Sequence, residues 1–243
     1  MLLRRITKHV TEQNWFAVFI DFIIVVVGVF IGIQVANWNE NLSNQDREHE
    51  YIERLKEDFK TIESRMSSNM EVFDKAIDGT SYIMKFITEN EIMIESENQI
   101  FKDNLAHIDS NALPAWRSAT YIEMQSSGDF NLINNSHLKK ALVNYDQVTE
   151  IAHVGAKKLL NSQIQSVEPT LFSLIKYAPN LNVESGTNSY TVTDFNYQKM
   201  VEEPEFLSAL SAMLKLQANN RVLQQNQMKL AQAVITQLNK GIK

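Results

Sequence analysis

The chain has 243 residues, 44% hydrophobic and 21% charged, with seven Gly, four Pro and no Cys. That apolar content excludes a disordered chain, and so few Gly and Pro exclude collagen-like and loop-dominated folds while favouring helices. Zero Cys excludes a disulfide scaffold, a thiol nucleophile and Cys-ligated zinc or iron–sulfur centres, and a net charge of −6 argues against a nucleic-acid partner.

The mean hydropathy of −0.24 is that of a soluble protein, but it hides one segment. From Trp15 to Trp38 the chain reads WFAVFIDFIIVVVGVFIGIQVANW, with only Asp21, Gln34 and Asn37 strongly polar. A helix of that length rises about 36 Å against roughly 30 Å of bilayer hydrocarbon. Trp15 and Trp38 stand at its two ends, where aromatic rings favour the membrane interface. No amphipathic face exists from Phe22 to Ile33, so a membrane span is expected rather than a buried core helix. The basic residues Arg4, Arg5 and Lys8 precede the span, and no small-x-small cleavage pair follows it. The segment therefore reads as an uncleaved signal anchor.

Charge sets the orientation. Arg4, Arg5 and Lys8 lie close before the span, whereas the first basic residue after it is Arg47. The positive-inside rule keeps residues 1–14 in the cytoplasm, makes 15–38 the span and exports 39–243, in a bacterium to the periplasm. The location expected is the bacterial inner membrane, with one pass and an exported part of charge −7. Inside the span, Gly28 and Gly32 form a G-x-x-x-G pair that permits close helix approach. Asp21 is costly there unless it reaches the headgroups or a polar contact with another span.

After the span, apolar residues recur at Tyr51, Ile52, Leu55, Phe59, Ile62, Met66, Met70, Phe73 and Ile77. These spacings of three and four predict one helix from Asn39 to about Asp78, ended by Gly79. A second helix is expected from Thr80 to about Glu95 and a shorter one from Asn98 to His107. Asp109–Pro114 reads as a loop, with Pro114 in the first turn of a helix reaching Gln125 and Trp116 as its core anchor. A turn at residues 126–129 follows, then a helix capped by Asn135 or Ser136 that runs from His137 toward Tyr177 and kinks at Pro169. Pro179 to about Asp194 is polar, β-branched and centred on Gly186, and reads as a loop or a small hairpin. Glu202–Lys240 is helical, with a seam at 207, 210, 214, 217, 221, 224, 228, 231, 235 and 238. The expected class is all-α: a transmembrane helix continuing into a helical bundle, with the hairpin or loop near 180–195.

Two stretches carry a resemblance. DFIIVVVGVFIGIQVANWNE followed by REHEYIERLKEDF, and TYIEMQSSGDFNLINNSHLKKALVNYD, resemble a bacterial membrane-anchored family of unknown function, over about a third of the chain. The resemblance implies the same anchored helical architecture and a bacterial source. It brings no catalytic residue.

No phosphate-binding glycine loop, nucleophile elbow or H-E-x-x-H zinc motif is present. Glu150-x-x-His153 has the spacing of a pair of di-iron ligands, with Asp46-x-x-His49 as a weaker copy. Such a site also needs bridging carboxylates, for which Glu57 and Glu71 are available but sit among exposed charges. His107 and His137 flank loops without an assigned partner for catalysis. No metal or cofactor is expected, nor an enzyme. The most distinctive polar feature is the interruption of the last seam by Gln217, Arg221 and Gln224, where Arg221 suits an acidic ligand or a partner carboxylate. Two functions remain open: an anchored structural or interaction protein assembling with itself or a partner membrane protein, or a periplasmic small-ligand-binding or sensing module signalling through a partner.

Overall fold

A computed structural model describes residues 15–180 and 189–240. The chain is all-α apart from one two-stranded hairpin. Its contacts fall into two units that divide between Tyr51 and Ile52. The first helix, α1, is Trp15–Thr88. In the first unit, Phe22 to Val35 is apolar and exposed on all sides, with Phe22 62%, Val29 58% and Phe30 61% accessible. It is the one helical stretch among the described residues long and apolar enough to cross a membrane.

The second unit begins with a seam along α1. Leu55, Phe59, Ile62, Met66, Asn69, Phe73, Ala76, Thr80 and Ile83 are buried at alternating spacings of three and four. Gly79 does not end the helix, and the expected break between two helices is absent. Its lack of a side chain serves an approach instead: a Cβ there would stand 3.0 Å from the backbone oxygen of Asn104. That oxygen lies in α2 (Glu95–Leu105). The helix stops nine residues further on, at Thr88, and Asn90 just beyond it takes the left-handed conformation (φ 51°) that follows helix ends.

Residues 110–118 form neither helix nor strand, and Pro114 is buried among them rather than in a helix. Helix α3 (Ala119–Ser127) starts three residues later than Trp116 because Ser118 caps it, accepting from the Tyr121 N–H. The carboxylate of Asp58 accepts from the Ser118 hydroxyl at 2.7 Å and from the Thr120 N–H at 3.0 Å, placing a negative charge at the positive end of the helix. Helix α4 (Ser136–Ser162) has the expected cap: Asn135 Oδ1 accepts from His137 N and Leu138 N. The helix then widens into a π-helical turn over Gln163–Val167 before α5 (Glu168–Phe172). Pro169, which cannot donate a backbone hydrogen bond, sits at the start of α5. The helix ends at Phe172, so Tyr177 belongs to a strand and not to the helix expected to reach it.

Strands β1 (Ile175–Asn180) and β2 (Ser189–Phe195) pair antiparallel, which decides for the hairpin over the loop. Gly186, the expected centre of its turn, lies outside the described residues. The chain closes with α6 (Tyr197–Glu202) and α7 (Pro204–Lys240). One core joins the end of α1 to α2, α5, the hairpin and the start of α7. At its centre Phe101 stacks on Phe195 at 4.9 Å and meets Phe86 and Tyr197 edge-on. Burying each such ring contributes on the order of 2–3 kcal/mol.

Candidate functional site

At Gln217 and Gln224 the interruption of the last seam is buried. Beside Ala209, the buried residues of α7 form one seam of Phe206, Leu210, Met213, Gln217, Asn220, Gln224, Gln227, Ala231, Val234 and Leu238. Their spacing alternates four and three, as expected, but half the seam lies one residue earlier than the reading from Leu207 gave. Arg221 thereby leaves the seam. It is about one third exposed and its Nε donates to Asp74 Oδ1 at 2.7 Å. Asn220 and Gln227 take seam positions that the sequence reading missed.

The four amides face the irregular segment 108–118, which lies between α1, α4 and α7. Gln217 Nε2 donates to the Ile108 carbonyl at 2.8 Å and Gln224 Nε2 to that of Ala112 at 2.7 Å. Gln227 Nε2 donates to the Ala115 carbonyl at 3.0 Å and to Thr149 Oγ1 at 2.8 Å. Asn220 Nδ2 donates to Asn111 Oδ1. The other helices complete the pattern. Asn69 Nδ2 of α1 donates to the Leu113 carbonyl, and the Tyr145 hydroxyl of α4 to that of Trp116. Gln163, brought inward at the π turn, donates to the Asp109 carbonyl. Thr80 Oγ1 donates to Gln217 Oε1, tying α1 directly to α7.

The physical reason is simple. An irregular backbone inside a bundle has no helical partner for its carbonyls, and each one left unmet costs about 1–3 kcal/mol. Side-chain amides supply donors without a charge to desolvate. Amides of this kind do no acid–base or nucleophilic work. They recognise a peptide backbone, and the peptide they hold is the chain's own. Three buried polar atoms carry no hydrogen bond within the described residues: Asn220 Oδ1, Gln227 Oε1 and Tyr177 Oη.

Charged groups rim the segment. Arg117 meets the largely buried Asp146 with both arms of its guanidinium, Nη2 to Oδ2 at 2.7 Å, and this carboxylate raises the arginine pKa further. Burial pushes the Tyr145 phenol up to about 12. Burial first, then the neighbouring Glu168, lifts Asp109 above the ordinary carboxylate value. Trp116 is 57% exposed and not the core anchor expected of it, because the start of α3 moved past it. The Arg65 guanidinium lies 3.9 Å over its ring.

The remaining candidates stay apart. Glu150 is exposed, while His153 Nε2 lies 3.2 Å from the Ala115 carbonyl, so the pair does not converge. Asp46, His49, Glu57, Glu71, His107 and His137 do not assemble with them; among the described residues no three His, Asp or Glu are grouped to hold a metal. A cleft of about 320 Å³ lies beside the hairpin, next to Lys176, Asp194, Tyr197 and Lys199. Lys176 and Asp194 pair across it at 2.8 Å, which raises the lysine and lowers the aspartate pKa.

In the first unit, Gly28 and Gly32 are open, with nothing within 4 Å of a built Cβ, and Trp38 is 66% exposed. The side chains of Trp15 and Asp21, and the tail of residues 1–14, lie outside the described residues. No protein-family model, curated protein or solved structure matches the chain.

Proposed function

We propose that the protein is an interaction protein anchored in the bacterial inner membrane. Residues 15–38 span the bilayer, residues 1–14 stay in the cytoplasm, and residues 39–243 form a periplasmic helical domain. That domain assembles with itself or with a partner membrane protein. The observation that carries the reading is the apolar stretch of α1, exposed on every side within the fold. A core helix buries at least one face, whereas a span presents apolar side chains all round. The open Gly28 and Gly32 support close approach of a second span.

The three residues that suggested a small ligand lend that reading no support. Gln217 and Gln224 are spent on the chain's own backbone, and Arg221 on Asp74. Chemical crosslinking in native membranes, followed by size analysis in mild detergent, tests the proposal. Discrete crosslinked species that persist in detergent are expected. A strictly monomeric protein with no crosslinked neighbour overturns it.

A further inference from the structure

We propose that the turn Glu89–Glu97, at the end of α1, docks an apolar groove rimmed by Lys or Arg on a partner protein. This rests on the reading of the chain as an interaction protein and names where the partner binds. Ile92 is 82% exposed and Ile94 is 54% exposed. Between them Met93 packs inward on the core, as alternation along an extended segment requires.

Stability does not account for either isoleucine. Ile94 occupies the N-cap of α2 and supplies no cap hydrogen bond. Ser, Thr, Asp or Asn there would add about 1 kcal/mol. A local rule broken without a packing return marks a place chosen for function. The turn is also held in one shape. Asn90 is left-handed, the Glu91 N–H donates to the Phe86 carbonyl at 3.2 Å, and the Tyr197 hydroxyl donates to the Glu91 carbonyl at 2.6 Å. A fixed turn offers its two side chains with little ordering cost on binding.

Charge identifies the occupant. Glu89, Glu91, Glu95 and Glu97 frame the two isoleucines. Of these, Glu89 has Lys85 only at 4.0 Å, and Glu97 accepts from the neutral Tyr82 hydroxyl. A second copy of so acidic a turn is repelled, and so is an anionic bilayer. A protein groove that covers Ile92 and Ile94 with basic side chains at its edge satisfies both the apolar and the charged parts.

The test places a photo-crosslinking residue at Ile92 or Ile94 of the full chain in its native membrane, with Gly28 and the exposed Val222 as separate control positions. The expected adduct is with a different protein, joined at an apolar surface bordered by Lys or Arg. Its yield falls about fivefold in the Glu91→Gln/Glu95→Gln variant and in high salt. An adduct with a second copy or with lipid overturns the proposal, as does one indifferent to the glutamates. Adducts at Gly28 without any at Ile92 or Ile94 overturn this site and leave the interaction reading standing. No adduct at any position overturns both. Ile92 is so exposed that its replacement leaves the fold intact, so a failure of the Ile94 variant to fold does not rescue the proposal.

Discussion

Asn69 of α1 donates its side-chain N–H to Oε1 of Gln224 on α7 at 2.7 Å, across a sequence separation of 155 residues. The same Asn69 nitrogen also donates to the Leu113 carbonyl, and Gln224 donates to that of Ala112. Two side chains from opposite ends of the domain thus grip neighbouring peptides of one buried segment. The bundle is closed around that segment rather than around a purely apolar seam.

Replacing Gln224 by Leu leaves the Ala112 carbonyl buried without its donor and removes one of the Asn69 bonds. The expected loss is about 1–3 kcal/mol, read from the midpoint of urea unfolding of the full chain in mild detergent. Arg221→Leu, three residues away, breaks only a half-exposed ion pair with Asp74 and costs about 0–1 kcal/mol. A larger loss from Arg221→Leu than from Gln224→Leu means that the seam runs through 221 after all.

Two glycines respond oppositely to the same change. A Cβ on Gly79 meets the backbone oxygen of Asn104 at 3.0 Å, and a backbone cannot step aside cheaply. Gly79→Ala is expected to lower stability by about 1–3 kcal/mol despite the better helix propensity of Ala. A Cβ on Gly155 meets only Leu223 Cδ1 at 3.4 Å. Gly155→Ala is expected to raise stability by about 0.5–1 kcal/mol. Thermal unfolding of both variants under one condition checks the pair of signs.

The helical class and most of the α1 seam were legible because Leu55, Phe59, Ile62, Met66 and Phe73 repeat at helical spacing. What escaped the sequence are the polar members of the seams. Asn69 was passed over for Met70, and Gln227 for Met228, because an apolar residue stood one position away and burial was equated with apolarity. The correct register was available from Phe206, which starts an alternation of four and three that holds to Leu238. The partner of those amides was not available: a backbone carbonyl carries no residue-type signal, so residues 109–114 read as an ordinary loop and Trp116 as already helical. Gly79 was read as a helix end for a related reason, since a close approach by Asn104 leaves no mark in the local sequence.

Asp109 gives the fold a pH dependence of known sign. Burial, assisted by Glu168, raises its folded pKa above the ordinary carboxylate value, with a hydrogen bond to its own backbone opposing. The stability this group contributes is therefore fully present below the unfolded pKa and is lost as pH rises through the folded one. At neutral pH its charge weighs against folding. Asp109→Asn is expected to raise the melting temperature at neutral pH, and the gain is expected to vanish near pH 3.5, about where the unfolded carboxyl is protonated. Thermal unfolding at the two pH values reads the difference. A gain that persists unchanged in acid shows that the effect is not ionisation.

The orientation has a clean assay because the chain contains no Cys, so one introduced thiol is the only one labelled. Ser208 is exposed on α7, and Ser208→Cys presents that thiol in the domain proposed to be periplasmic. Thr7→Cys lies in the tail with Arg4, Arg5 and Lys8, for which the positive-inside rule predicts a cytoplasmic position. A membrane-impermeant maleimide added to cells with a permeabilised outer membrane is expected to label the Ser208→Cys variant. It should label Thr7→Cys only after the inner membrane is opened. Labelling of Thr7→Cys in sealed cells, with Ser208→Cys protected, would invert the topology and place the whole helical domain on the cytoplasmic side.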